Sequence, residues 1–362
     1  MKPDPQGNEL VSQRVSAAPE WVAQMLTRPI LADPARSGRL RQVVATGIGS
    51  SEAQARYFSW LLNTFTDVPA CFVPLAEFMD PFGSPAGSTL AVFSQGLSAN
   101  AAFAIRQAER FDHTVVFTAA TEEGQRSAGR PERAELLIWL RSFGAEIVPF
   151  PVEDEYTVLI RLIGPVCGFV AAHQFVESLP GSRLGRLADI ADQLHGWRSS
   201  EAAANLRGDL ELNSSAWESG GLVLLPSPIT EFAQNLGCKF VEGLFWAAPT
   251  IVELMQFAHG PLQQLARAPR PVCIVEGVRE SDRQLARGAV AMLASIDIRP
   301  VMFPLACPAE HSPIALELIL NPVFRDLIAR FGVNQVEWPG KGLDGPIYRL
   351  SPSVSRPTAP LS

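Results

Sequence analysis

The 362-residue sequence is short of several things, and each shortage excludes a class of protein. Basic charge is not in excess: 30 Lys and Arg stand against 37 Asp and Glu, a formal charge of −7 with a pI near 5.4. Nucleic-acid binding needs a basic face to neutralise phosphates, so that class is set aside. No window reaches the run of about 18 apolar residues that a membrane span requires. The opening MKPDPQGNEL carries no apolar stretch of the kind a secretory signal has, and a cytoplasmic location is expected. The five cysteines (Cys71, Cys167, Cys238, Cys273, Cys307) are scattered and include no CxxC pair, so they read as reduced thiols rather than a disulfide frame or zinc site. Nor do His113, His173, His195 and His311 show ligand spacing; they are expected to be structural or surface groups, and no metal or organic cofactor is implied. A dinucleotide fingerprint starting at Gly47 would need glycine at position 52, where Glu52 stands, and no Walker pattern occurs.

What is present is a chain 47% hydrophobic and 19% charged, ample for a core. Its length suggests two domains or one large α/β unit. Apolar residues at helical spacing over 10–25 predict a leading helix. Short apolar, β-branched runs follow: RQVVATG, CFVPL, TLAVFSQ, TVVFTA and EIVPF, with helical patterns at 51–62, NAAFAIRQAERF and ERAELLIWLRSF between them. This alternation predicts a doubly wound parallel sheet. Over 156–213 the strands stop and long helical patterns take over, broken at Pro180-Gly181. Strands then restart with GLVLLPS, PVCIVEG and RPVMFPL, separated by helices at about 229–245, 282–294 and 313–331. Two α/β halves suggest duplication, with VVATGIGSSEAQA and LVLLPSPITEFAQ as counterparts. The expected division is 1–40 as tail and helix, 41–180 and 216–350 as two α/β units, 181–215 as a helical connector and 351–362 as a loose tail. Residues 1–8 are also expected to be loose.

Three places carry residues suited to chemistry. The turn Gly47-Ile48-Gly49-Ser50-Ser51 joins a buried strand to a helix, so its glycines allow close approach and its serines either cap the helix or offer hydroxyls to an anion. The turn Ser94-Gln95-Gly96-Leu97-Ser98-Ala99-Asn100 stands in the same position after another strand. In a parallel sheet both strand ends face one crevice, which favours a small anionic or polyhydroxyl ligand. Third, Lys239 and Glu242 share a helix face, with His259-Gly-Pro on a turn beyond them. The pair reads either as a surface ion pair or, given the apolar CKFVEGLFWAAP around it, as a partly buried carboxylate tuned for proton transfer.

Taken together, these residues resemble the sugar isomerase (SIS) domain family, in particular the isomerase half of glucosamine-6-phosphate synthase and related phosphosugar isomerases and deglycases. GIGSSEA looks like the family's first phosphate turn, VFSQGLSANA like its second (SQSGET), and KFVEGLFWAAPTIVELMQFAHGPL like its K-x-x-E…HGP stretch. The resemblance implies two tandem SIS subdomains of flavodoxin-like, doubly wound parallel sheets related by a pseudo-twofold axis, and a homodimer. It implies that Gly49, Ser50, Ser51, Ser94, Gln95, Gly96, Ser98 and Asn100 bind a sugar or its phosphate. Glu242 would move a proton between C1 and C2, His259 of a partner subunit would assist ring opening, and Lys239 would steady the open-chain oxygen or the glutamate. The implied activity is aldose–ketose isomerisation or amino-sugar/fructosamine deglycation. The alternatives are a sugar-phosphate-binding regulatory module without turnover, and an ammonia-dependent aminotransferase-isomerase fed by a separate glutaminase, since no glutaminase half precedes residue 40. The sequence departs from the family pattern at Gly96 and Ala99, where hydroxyl side chains are usual, and at Asn235, where the synthase has a glutamate. PFPVEDEYT stands in place of the family's TK segment, and VEWPGKGLDGP in place of its lysine-bearing closing motif.

Overall fold

The computed structural model describes residues 5–33, 40–83, 86–150, 152, 155–198, 200–350 and 352. Two parallel sheets are present. The first holds β1 (Gln42–Thr46), β2 (Ala70–Phe72), β3 (Ser88–Phe93), β4 (His113–Thr118) and β5 (Glu146–Pro149) in the order β2-β1-β3-β4-β5. The second holds β6 (Leu222–Leu225), β7 (Thr250–Glu253), β8 (Val272–Glu276) and β9 (Val301–Pro304) in the order β7-β6-β8-β9. The second order repeats the first four positions of the first sheet, as a duplication requires. Strands β3 and β4 are buried along their whole length, because helices cover both faces of a parallel sheet.

The helices of the first half are α1 (Pro5–Thr27), α2 (Ser50–Phe65), α3 (Ala101–Ile105), α4 (Glu122–Ser127) and α5 (Pro131–Phe143). Between the sheets in sequence come α6 (Ile163–Glu177), α7 (Leu194–Arg198), α8 (Glu201–Leu212) and α9 (Ser214–Glu218); α10 (Gln234–Cys238), α11 (Pro261–Arg267), α12 (Glu280–Ala294), α13 (Ser312–Phe331) and α14 (Gly345–Tyr348) complete the chain. Every residue of α6 from Ile163 to Val176 is buried, so this helix is apolar all round and forms the spine of the molecule. It packs on α1, α2 and α13, and one continuous core joins these helices to the inner faces of both sheets. Smaller clusters lie under α3 and α5 on the first sheet, and under α11 and α12 on the second. Helix α8 packs on β9.

Several expectations change. The leading helix begins at Pro5, so residues 5–8 are helical rather than loose. The tail 351–362, apart from Pro352, lies outside the described residues, as does the side chain of His195. The helix expected over the NAAFAIRQAERF segment is only five residues long and is followed by a 3-10 turn, Ala108–Arg110. Gln107 between them is drawn to the 78–82 loop, donating to Phe78 O and Asp80 O and accepting from Phe82 N–H. The helix expected over 229–245 is three pieces: a 3-10 turn at Ile229–Phe232, α10, and a π-turn at Lys239–Leu244. Strand β7 is the fourth strand of the second sheet and was hidden within the same motif stretch. It is a four-residue edge strand whose residues are exposed or half-buried, so it lacks the fully buried apolar run that marks its neighbours.

Candidate functional site

The two serine-bearing turns leave the carboxyl ends of β1 and β3, adjacent strands whose connections run to opposite sides. That is the switch point at which an open parallel sheet forms its ligand crevice. At the first turn, a Cβ on Gly47 would stand 2.4 Å from Ser51 O, and Gly49 has φ +62°, so both glycines are required by the geometry. Gly49 occupies the cap of α2 and no side chain caps the helix. The serines therefore do not perform the capping role open to them. Among the described residues neither the half-buried Ser50 nor the buried Ser51 hydroxyl has a hydrogen-bond partner, and both stand at the start of a 16-residue helix.

The second turn is more self-contained. The Ser98 N–H donates to Ser94 Oγ (3.2 Å) and the Ala101 N–H to Ser98 Oγ (3.3 Å). Gln95 Nε2 donates to Glu155 Oε2 at 3.1 Å, and Asn100 Nδ2 donates to the carbonyls of Ile347 and Leu350. Gly96 O accepts from Arg133, and a Cβ on Gly96 would fall 1.9 Å from the Tyr156 hydroxyl. A serine here, as in the family pattern, has no room while Tyr156 keeps its place. The ring of Tyr156 lies 5.0 Å from the Arg130 guanidinium and 4.5 Å from that of Arg161.

Glu155 ties this turn to the spine helix. Its carboxylate is fully buried and accepts the N–H groups of Leu162 (3.1 Å), Ile163 (2.8 Å) and Gly164 (2.7 Å) at the start of α6, besides the Gln95 amide. A carboxylate at the positive end of a helix satisfies donors that the helix leaves open. Of the acids noted in PFPVEDEYT, Glu155 is the one among the described residues; Pro151, Glu153 and Asp154 lie outside them.

Lys239 and Glu242 stand on the π-turn, but they do not form an ion pair. Lys239 is 1% exposed and its ammonium meets Glu317 at 2.8 Å and Asn321 Oδ1 at 2.6 Å, both on α13. Asn235 donates to the other oxygen of Glu317. Burial pushes the Glu317 carboxyl above its ordinary range, while Lys239 and Asn235 pull it back. The Glu242 carboxylate is partly buried and has no hydrogen-bond partner among the described residues. Burial raises its pKa, opposed by Arg161 and Lys239, which is the setting of a tunable base. Gln335, itself fully buried, fixes the π-turn by donating to the carbonyls of Glu242 (3.0 Å) and Gly243 (2.9 Å) while accepting from Ile160 N–H. Such turns widen a helix locally and often mark functional positions.

The fields of neighbouring charges, rather than direct contacts, connect Glu242 to groups near the two turns. Arg161, which acts on Glu242, stacks on the tyrosine that covers Gly96, and Cys238, beside Lys239, responds to both Glu242 and Glu52 in the first turn of α2. His259 is different. It follows the 3-10 turn Met255–Ala258 and is exposed; its N–H donates to Gln256 O, while its side chain makes no hydrogen bond or ion pair among the described residues. Sequence reasoning missed Glu317, Asn321, Gln335, Tyr156 and Arg161, and met Glu155 only as one of the acids that PFPVEDEYT brings near the expected pocket. A signal existed for two of them: Glu317 and Asn321 are four apart in the otherwise apolar ALELILNPVF, and so share a face.

His113, His173 and His311 have structural partners. His113 contacts Glu146 at 3.3 Å, and His173 sits in the core with Tyr57 Oη at 3.0 Å and Gly185 O at 3.1 Å, its ring 5.4 Å from that of His311. Among the described residues no group of three or more His, Cys, Asp or Glu side chains could hold a metal ion, and no helix is long and apolar enough to cross a membrane. Burial pushes His173 down to about 4 and lowers His311, with Glu310 and Asp189 opposing at His311. Tyr57, also facing this cluster, is raised by burial and by Glu310 and Cys307. A histidine held neutral in the native state binds fewer protons than in the unfolded chain. Its contribution to stability is thus complete above 6.5 and is lost as pH falls from 6.5 toward about 4. Denaturant unfolding is expected to show an acid-side loss from His173 of up to about 3 kcal/mol. His173→Gln should flatten that limb, and an unchanged limb would assign it to other groups.

No protein-family model and no curated protein matches the sequence. Solved structures do. The C-terminal domain of glucosamine-fructose-6-phosphate aminotransferase from Francisella tularensis superposes with a TM-score of 0.68 at 13% identity, over 91% of this chain and 98% of that one. Tagatose-6-phosphate ketose/aldose isomerase from Escherichia coli gives 0.63 at 15% identity, covering 92% and 97%. Glucosamine-6-phosphate deaminase from Thermotoga maritima gives 0.63 at 13% identity, covering 91% and 97%. The likeness extends over nearly the whole of each chain and concerns the fold, and by it the chain has the tandem α/β architecture of the sugar isomerase (SIS) domain proteins.

Proposed function

We propose that this chain binds a sugar phosphate and interconverts aldose and ketose forms, or releases the amine from an amino sugar or fructosamine, by carrying a proton between C1 and C2. The observation that carries this reading is the Glu242 carboxylate: partly buried, without a hydrogen-bond partner among the described residues, raised by burial, and held on a π-turn fixed by Gln335 that follows α10, a helix packed on the α2 that the first serine turn opens. Proton shuttling beside a carbonyl needs one base able to reach both carbons and a donor for the developing oxyanion. Glu242 takes the first role. Ser50 and Ser51, whose hydroxyls have no hydrogen-bond partner among the described residues, stand with Gly49 at the head of α2 and are suited to the ligand's oxygens, and Ser94, Gly96 and Ser98 line the neighbouring turn. Lys239 acts on the glutamate by its field, because its ammonium is engaged by Glu317 and Asn321. His259, exposed and with no side-chain partner among the described residues, serves as the ring-opening group of a neighbouring subunit in a homodimer, the commonest closed assembly. An aminotransferase variant would take ammonia from a separate glutaminase.

A second reading, ligand binding without turnover, is favoured by the second turn, where Gln95 and Asn100 are already engaged by protein groups and Tyr156 covers Gly96. One experiment separates the two. The protein is incubated with hexose and hexosamine 6-phosphates in deuterated water while thermal unfolding is followed. A ligand at a hundred times its dissociation constant adds about 2.7 kcal/mol of stability. Deuterium appearing at C1 or C2 supports the enzyme; stabilisation without exchange supports the binding module; neither effect with any of them defeats both.

A further inference from the structure

On the β4 side of the second turn lies a cavity of about 170 Å³, lined by Gln95, Gly96, Thr121, Gln125, Arg130 and Tyr156, its remaining wall mostly small side chains. Two of its groups lack a hydrogen-bonding or ionic side-chain partner among the described residues. Gln125 is 7% exposed, and its Oε1 is buried without a hydrogen bond among the described residues. Arg130 makes no ion pair there; its guanidinium only stacks on the Tyr156 ring. A buried amide oxygen left unsatisfied is costly and is relieved by a ligand that brings a hydroxyl, while an anion on the same ligand would meet the Arg130 guanidinium. The hydroxyl groups that would otherwise receive a phosphate are missing at Gly96 and Ala99, and the Gln95 and Asn100 amides are engaged elsewhere.

From this cavity, its unpaired guanidinium and its unsatisfied amide, we infer that the phosphoryl group of the ligand is held on the β4 side of the second turn by Arg130, with Gln125 binding an adjacent oxygen, in place of a hydroxyl cradle. The inference rests on the sugar-phosphate reading above and narrows it to ligands that carry a dianionic group. Guanidinium suits this task because its planar donors match phosphate oxygens in pairs. The same tyrosine that stacks on Arg130 also contacts Arg161, whose charge reaches Glu242, so the anion site and the base lie at the two ends of one row of side chains.

The test compares fructose 6-phosphate, fructose and inorganic phosphate as probes, by calorimetry and thermal unfolding, on the wild type, Arg130→Gln, Arg130→Lys and Gln125→Leu. Arg130 is partly exposed, so its variants are expected to unfold near the wild-type temperature without ligand. Arg130→Gln should weaken fructose 6-phosphate and inorganic phosphate by about ten- to a hundredfold, leaving fructose unchanged, and Arg130→Lys should recover part of the loss. Gln125→Leu should weaken the sugar phosphate while holding or raising the stability of the free protein, a result that a purely structural glutamine would not produce. Equal phosphate affinity in Arg130→Gln, or no binding of either phosphate by the wild type at millimolar concentration, overturns the inference. Arg130-dependent binding without deuterium exchange defeats the isomerase reading and keeps this site; exchange with an unchanged KM in Arg130→Gln does the reverse.

Discussion

Glu242→Gln is expected to abolish turnover, by about 10²–10⁴-fold in kcat, while leaving sugar-phosphate binding close to that of the wild type. The substitution keeps the shape of the side chain and removes only its capacity to accept a proton. Stability should hold or rise slightly, because the carboxylate is partly buried without a hydrogen-bonding partner among the described residues. In the wild type the base must be ionised to act, and burial has raised its pKa. Rate should therefore fall, as pH is lowered, at a point above the ordinary range of glutamate. Isomerisation followed by coupled assay or NMR, across pH, checks both statements. Full activity in Glu242→Gln would end the assignment of this residue as the base.

The second large effect is structural. Lys239→Met should destabilise the fold by about 3–5 kcal/mol, since it strands the Glu317 carboxylate in a site that is 3% exposed. The loss is not inherent in the position but in the unpaired charge. Lys239→Met combined with Glu317→Leu should recover much of it, as replacing a buried pair by apolar groups is often neutral. A second combination relocates the carboxylate: in Asn235→Glu with Glu317→Gln, the acid moves to the residue that already hydrogen-bonds Glu317. That variant should be more stable than Glu317→Gln alone. Urea unfolding of the four proteins measures these differences. If Lys239→Met alone is near wild type, the buried pair is not the tie between the π-turn and α13.

These effects concern residues that the sequence exposed unequally. The central strands were legible because burial on both faces leaves near-continuous apolar runs, as in STLAVF and HTVVFT. The edge strand TIVE was not, since half-burial over four residues leaves no pattern. The helix expected over 229–245 was legible only as a helical period. Its break into α10 and a π-turn depends on Gln335, almost a hundred residues downstream, which holds the Glu242 and Gly243 carbonyls. Likewise Lys239 and Glu242 seemed partners by spacing, whereas the ammonium goes to Glu317 and Asn321 across the helix interface. Gly96 was legible as a missing hydroxyl; that Tyr156 fills its place was not.

By itself the sequence determined the period of the buried strands and the longer helices and the two glycine–serine turns at strand ends, because these follow from local steric and hydrophobic rules. Tertiary packing alone decided which polar side chains are engaged and which stand free. Gln95 and Asn100 are bound by protein groups, while Ser50, Gln125 and Arg130 have no polar partner among the described residues. The reason is physical: hydrogen bonds and ion pairs across 60 to 250 residues depend on which helices meet in the core, and no local spacing encodes that meeting.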